Sequence, residues 1–194
     1  MLRQAQHEDF CNGRLSPKEH AVSRLKPIKL ADLNEAQAAL REAYLAVWRR
    51  AEGGPFDQWY LSPELGRRSH ELGEYCRFKS QLEPDVLETA ILVVANHWSQ
   101  AYEWNTHVGN AQNAGLSQAM IDAIAAGTAP VFATVEQSLA HDVAREILET
   151  RQLGDETFRR AITVFSEAAL VELAAVIGWY TSLAIQMNVF DVGV

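Results

Sequence analysis

Apolar residues recur at intervals of three and four along most of the chain, which is the spacing of an amphipathic helix. Within 34–50, for example, Leu40, Ala43 and Val47 follow this period. Alternating β-branched runs joined by Asn-Gly or Asp-Gly turns, which are typical of hairpins, are missing from the sequence. We therefore expect an all-α fold.

Cap residues and prolines predict where the helices begin. Asn34 with Gln37 forms a capping-box pattern for a helix that runs to about Arg50. From Pro84 to Ala114 the pattern allows one long helical segment, which Gly115 ends. The other predicted starts are Ser62 before Pro63, Ser117, Thr134 with Gln137, Asp155 and Ser166.

The segment 168–185 is apolar except for Glu172, Thr181 and Ser182. A glutamate in the middle of a membrane-spanning helix costs about 2.5–3.5 kcal/mol. No basic cluster flanks this segment to set an orientation in a membrane. We expect a buried helix, in the core or at a subunit interface, rather than a membrane anchor.

Composition indicates one soluble globular domain, since 48% of the 194 residues are hydrophobic and 22% are charged. The net charge is −8 and the 17 basic residues are scattered, so we expect no nucleic-acid partner. Basic residues outnumber acidic ones within 1–30, which predicts an N-terminal arm ahead of a helical domain at 31–194. Two cysteines without a CxxC, and an N-terminus without an apolar signal, favour a cytoplasmic protein.

The richest chemistry lies at 97–107, which reads HWSQAYEWNTH. Glu103 and His107 are four residues apart, so on a helix their side chains can meet and share a proton. A carboxylate beside an imidazole raises the pKa of the imidazole and can prepare it as a general acid. The alternative is a surface ion pair. In the catalytic interpretation, water-excluding walls would come from Trp98, Tyr102 and Trp104.

The polar residues outside the Glu103–His107 pair offer fewer candidates for a catalytic or metal site. Glu88 lies in the apolar run LETAILVV, so it either faces solvent or is buried with a raised pKa. His97, Glu103 and His107 have ligand chemistry, but one helix presents only two ligands on a face, so no metal is expected. No nucleotide-binding, nucleophile-elbow or HExxH motif is present, and no cofactor is expected. Histidines in polar surroundings, expected at the surface, are His7, His20, His70 and His141.

Three segments, 55–78, 87–117 and 170–190, resemble the carboxymuconolactone decarboxylase family, which shares its helical fold with the alkylhydroperoxidase AhpD proteins. The specific part is YEWxxH at 102–107, followed by AGLS at 114–117. The resemblance implies an AhpD-like fold and a homo-oligomer, trimeric or hexameric. It also implies a break near 96–99, with Ser99 capping the next helix, so that Glu88 and His107 converge.

In the AhpD branch the reactive element is a glutamate, a CxxC and a histidine. Glu88 and His107 match its two ends, whereas the cysteines fall on Gln100 and Glu103. Without these thiols the disulfide-forming peroxide chemistry lacks its nucleophile. The chain therefore looks like a member of the decarboxylase-like branch.

These observations lead us to expect a cofactor-free lyase or isomerase acting on a small carboxylated lactone or another enolisable acid, as in the catabolism of aromatic compounds. His107 would donate the proton, Glu103 would orient it and Glu88 would tune the pair. His97 is a candidate substrate contact, and Arg77 either pairs with a substrate carboxylate or is an ordinary surface arginine. The alternatives are an AhpD-like peroxidase with antioxidant activity, or a small-molecule-binding protein without catalysis.

Overall fold

The computed structural model describes residues 23–26 and 28–192, and this part of the chain is all-α without strands. A 3₁₀ turn at Leu30–Asp32 precedes the α-helices. The helices are α1 (Glu35–Trp48), α2 (Pro55–Trp59), α3 (Pro63–Phe78), α4 (Pro84–His97), α5 (Ala101–Asn113), α6 (Gln118–Ala125), α7 (Val135–Thr150) and α8 (Asp155–Phe190). The all-α prediction is thus confirmed, and the short α2 is a helix that the periodicity did not predict.

Several predicted caps are present. Asn34 and Gln37 form the complete capping box of α1, which ends at Trp48 rather than near Arg50. Ser117 and Thr134 each accept a hydrogen bond from the backbone three residues ahead. Asp155 is wrong as a cap, because it is already the first helical residue and Gly154 occupies the cap position.

Helix α4 forms the centre of the protein. Every residue from Val86 to Asn96 is buried, and α4 packs against α5, α6, α7 and α8. On the other side of the molecule α1, α2 and α3 pack together, and α2 and α3 also contact α8. A charged residue within 86–96 consequently lies in the interior, where it needs a partner.

The chain breaks between α4 and α5, so the single long helix allowed by the periodicity does not form. Ser99 has a φ of 49°, in the left-handed region, which turns the chain. The cap of α5 is Gln100, whose side chain accepts a hydrogen bond from Tyr102 N at 2.7 Å. The break near 96–99 is confirmed, whereas Ser99 as the cap is wrong by one residue.

Helix α8 bends at Ser166, where φ is 72° and the hydroxyl accepts a hydrogen bond from Ala169 N at 3.3 Å. Ser166 therefore caps the final helical stretch as predicted. By length and apolar composition alone α8 is long enough to cross a membrane. Its inner face is buried against α3, α4 and α7, while Val171, Ile185 and Val189 on its outer face are exposed.

The described part of the predicted N-terminal arm lies against the end of α8. Arg24 N donates to the carbonyl of Phe190 at 2.9 Å, and its guanidinium donates to the carbonyl of Val189 at 3.0 Å. Residues 1–22 and 27 of the arm lie outside the described residues.

Candidate functional site

A buried ionic cluster lies where α3, α4 and α5 meet, and Glu88 is its centre. Glu88 is only 1% exposed, and both carboxylate oxygens have partners. Arg77 Nη1, from the last turn of α3, lies 2.5 Å from Oε1. His107 Nδ1, from α5, lies 2.7 Å from Oε2. Glu88 is therefore buried, as one of the two interpretations of its position required.

The imidazole of His107 lies between two carboxylates. Its Nε2 is 3.4 Å from Glu103 Oε2, one helical turn back, so each ring nitrogen faces a carboxylate oxygen. Burial by itself lowers the pKa of His107, but the bonds from Glu103 and Glu88 outweigh it, and the pKa is raised. The surface ion pair that was the alternative for Glu103 and His107 is excluded, because both residues are buried.

Formal charges balance in this cluster. With a protonated imidazole, two cations (Arg77 and His107) face two anions (Glu88 and Glu103). An unpaired charge at this depth would be costly, so this balance is what makes the burial of four ionisable groups tolerable. The cluster is a place where a proton can move over short distances.

Tyr180 on α8 completes the cluster, and nothing in the sequence pattern indicated it. Its ring meets the His107 ring edge-on, with centroids 5.2 Å apart and planes at 89°. Burial, followed by the charge of Glu103, raises the pKa of Tyr180 well above its usual value, so its hydroxyl stays neutral. No spacing rule connects Tyr180 to a residue 73 positions earlier, so only the packing of α8 reveals it.

A cavity of about 420 Å³ opens onto the cluster. Arg77 and Glu88 line it, whereas His107 and Glu103 are not among its lining residues and lie behind Glu88. The remaining lining residues are Phe78, Ser80, Leu82, Pro84, Leu87, Asn110, Asn113 and Ala114. A ligand in this cavity meets five apolar side chains, two amides, one hydroxyl and one ion pair.

The structure does not bring the predicted aromatic wall to this cavity. Trp98 packs against the exposed His97, with ring centroids 5.6 Å apart. Tyr102 lies over Arg50 and so close to Gly54 that a Cβ there would overlap its ring. Trp104 is half-buried against the core. These four predicted contacts, His97 included, are not among the residues that line the cavity.

Two other histidines differ from their predicted positions. His70 and His141, expected at the surface, are buried at 6% and 7% exposure. His70 Nδ1 accepts a hydrogen bond from Trp48 Nε1 at 2.9 Å, and burial lowers the pKa of both histidines. Polar neighbours in the sequence did not reveal that these positions face the helix interfaces. His7 and His20 lie outside the described residues.

Within the described ranges, the side chains offer little support for metal or thiol chemistry. Within 23–26 and 28–192, no group of three or more His, Cys, Asp or Glu side chains is arranged to hold a metal ion. Cys76 is buried close enough to Tyr180 for their charges to interact, and burial raises the pKa of the thiol to about 11. It is therefore almost entirely a thiol, not a thiolate, near neutral pH.

Comparison of the chain with family models, with curated proteins and with solved structures gave no match. The resemblance to the carboxymuconolactone decarboxylase family thus remains a prediction, and a functional assignment has to rest on the geometry of the cluster and its cavity.

Proposed function

We propose that this protein is a cofactor-free lyase or isomerase that moves a proton to or from a small carboxylated, enolisable substrate in the cavity beside Glu88. The observation that carries the proposal is the convergence of Arg77, Glu88 and His107 from three helices, within 2.5 and 2.7 Å, at the end of a cavity. Proton-transfer groups held this close in a water-poor setting are the requirement for general acid–base catalysis.

The order of the groups suggests their roles. In a decarboxylation the bond to the carboxyl carbon breaks, CO₂ leaves, and the electron pair delocalises into the adjacent carbonyl as an enolate. Glu88 is the member of the proton chain that lines the cavity, so in its acid form it delivers the proton to the carbon. His107, an imidazolium balanced by Glu103, then returns a proton to Glu88, and a proton from solvent restores the imidazolium before the next turnover. This assigns to Glu88 the donor role that the sequence alone suggested for His107.

Peroxidase chemistry is less well supported. Cys76 is 1% exposed, and its pKa of about 11 keeps it protonated. A peroxide-reducing cysteine needs an accessible thiolate and a resolving thiol.

A second candidate, a small-molecule-binding protein without catalysis, is favoured by one observation. All four ionisable groups of the cluster satisfy one another, as they would in a purely structural network. In that case the cavity would bind ligands while the cluster only holds three helices together.

The deciding experiment is a screen of carboxylated lactones for CO₂ release. We expect turnover by the native protein and a loss of about 10²–10⁴-fold in the variant Glu88→Gln. The matched control is Glu172→Gln, since Glu172 bonds to Tyr75 and the backbone of Gln81 outside the cluster. Full turnover by Glu88→Gln would overturn the proton-transfer role, and ligand binding without turnover would favour the second candidate.

We also propose that the chain assembles as a homo-oligomer through the outer face of α8. Val171 is 69% exposed and Val189 is 53% exposed on this otherwise small and apolar face. Exposed apolar residues that recur along one face of a helix are typical of an interface. Light scattering should show an oligomer that Val171→Lys dissociates, whereas Val131→Lys, in the exposed loop before α7, leaves it intact. A monomeric native protein would contradict this assignment.

A further inference from the structure

We infer that the cavity binds a carboxylate ligand on Arg77 only together with the uptake of about one proton by the Glu88–His107–Glu103 chain. Binding would thereby place an acid next to the ligand. The inference rests on the proposed function in one respect, since it takes the cavity beside Glu88 as the ligand site.

The guanidinium of Arg77 can accept such a ligand. Its side chain is 18% exposed, against 2% for that of Glu88, and it lines the cavity. The ion pair with Glu88 uses Nη1 of Arg77, and a guanidinium carries five N–H donors. A ligand carboxylate can therefore approach another edge of the guanidinium while Glu88 stays in place. The apolar residues Phe78, Leu82 and Leu87 would desolvate the contact.

Charge balance then requires the proton. The empty cluster contains two anions and two cations when His107 is protonated. A ligand anion adds a third negative charge and brings two carboxylates onto one guanidinium. Two carboxylates that share one site hold a proton between them, because they cannot both stay ionised at low cost.

The titratable and charged groups around Glu88 limit where this proton goes. Arg77 on α3 and His107 on α5 pair with Glu88 directly, and Glu103 lies beyond His107. Tyr180 on α8 and Cys76 on α3 are close enough for their charges to interact. The thiol and the phenol are already protonated and cannot take up another proton. His107, counted above as an imidazolium, already carries both of its ring protons, so the added proton enters the carboxylates of the cluster.

The consequence is that a proton donor forms at the cavity only when the ligand is bound. In the empty protein the two oxygens of Glu88 are occupied by Arg77 and His107, so neither is available to donate a proton to a ligand. With the ligand bound, the added proton lies on the chain whose cavity end is Glu88. A ligand without a carboxylate would not have this effect.

Titration calorimetry with benzoate tests the inference without knowledge of the natural substrate. Repeating the titration in buffers of different ionisation enthalpy counts protons, and we expect about one taken up per benzoate bound between about pH 6 and pH 8. The dissociation constant should weaken by about tenfold per pH unit over this range. Benzamide, the neutral analogue, should bind with no proton uptake.

The variant Glu88→Gln supplies a second test. It frees Arg77 from its carboxylate, so benzoate should bind with little proton uptake and with a weaker dependence on pH. Glu172→Gln should behave like the native protein. Circular dichroism would check that Glu88→Gln is folded, and the proton count on the native protein does not depend on that variant.

Two results would overturn the inference: benzoate binding by the native protein without proton uptake, or no benzoate binding at millimolar concentration. These are separable from failure of the proposed function. Proton-linked benzoate binding without CO₂ release from any lactone would remove the decarboxylase proposal alone. Turnover by a protein that binds benzoate without a proton would remove only the inference.

Discussion

Glu88 and His107 are 19 positions apart in the chain, and their side chains meet at 2.7 Å. On one straight helix they would be about 28 Å apart along the axis. The turn at Ser99 folds α5 back alongside α4 and brings the two residues together. The candidate site therefore depends on a single positive-φ residue that belongs to neither helix.

The pKa of His107 should fall when its carboxylate partners are neutralised. Both Glu103 and Glu88 raise the pKa of His107 against the effect of burial. We expect Glu103→Gln to lower this pKa, as measured by NMR titration of the imidazole, and Glu172→Gln to leave it unchanged. An identical pKa in Glu103→Gln and the native protein would contradict the assigned pairing.

Removal of the central carboxylate should destabilise the protein strongly. Glu88→Ala leaves Arg77 and His107 without their shared partner, and breaking a buried ion pair costs about 3–5 kcal/mol. Glu64→Ala is the control, since the exposed Glu64 pairs with Arg67 and Arg68 at the surface and its removal should cost far less than that of Glu88. Urea unfolding measures both. Equal losses in the free energy of unfolding of Glu88→Ala and Glu64→Ala would show that burial does not make one ion pair more stabilising than the other.

Stability should fall on the acid side of neutrality. Burial lowers the pKa of His70 and His141 in the folded protein, so protons bind more readily to the unfolded chain. Their contribution is present above about pH 6.5 and is lost as the pH decreases. His107 has the opposite sign, because its raised pKa gives a contribution that is lost as the pH rises through the folded value.

Urea unfolding from about pH 8 to about pH 5 measures this dependence. The double variant His70→Gln, His141→Gln should show a smaller loss toward low pH than the native protein. The same slope in both proteins would contradict the assignment.

Gly73 should tolerate no side chain. A Cβ there would overlap the ring of Trp179 on α8, at the packing of α3 against α8. Gly73→Ala should therefore destabilise by about 1–3 kcal/mol in thermal or urea unfolding. Gly109→Ala is the matched control in a helix interior, with nothing within 4 Å of its Cβ, and should stabilise by about 0.5–1 kcal/mol. A stabilising Gly73→Ala would show that Trp179 can move aside.

Local signals in the sequence predicted the fold class and many helix boundaries. Capping at Asn34, Ser117, Thr134 and Ser166 depends on contacts within four residues, and these contacts are present. The break at Ser99 could not be read from periodicity, because the apolar pattern continues through it. It was predicted only through the resemblance to a family.

The candidate site was predictable in part. Glu103 and His107 follow from helical spacing, and Glu88 was noticed as a carboxylate in an apolar run. The position of Tyr180, and which residues of the cluster line the cavity, depend on how α8 and α3 pack. No local sequence pattern encodes this packing. The aromatic residues around 97–107 suggested a pocket wall, yet their direction was set by the turn before α5, which rotates Tyr102 toward Arg50.

The location of the four charges on three different helices has a consequence for assembly of the fold. If α3, α4 or α5 slid by one residue relative to the others, a guanidinium, carboxylate or imidazolium would be left alone in the interior. Apolar side chains such as those of α4 could tolerate such a slip at modest cost. The cluster therefore selects one register of these helices among several that hydrophobic packing would accept.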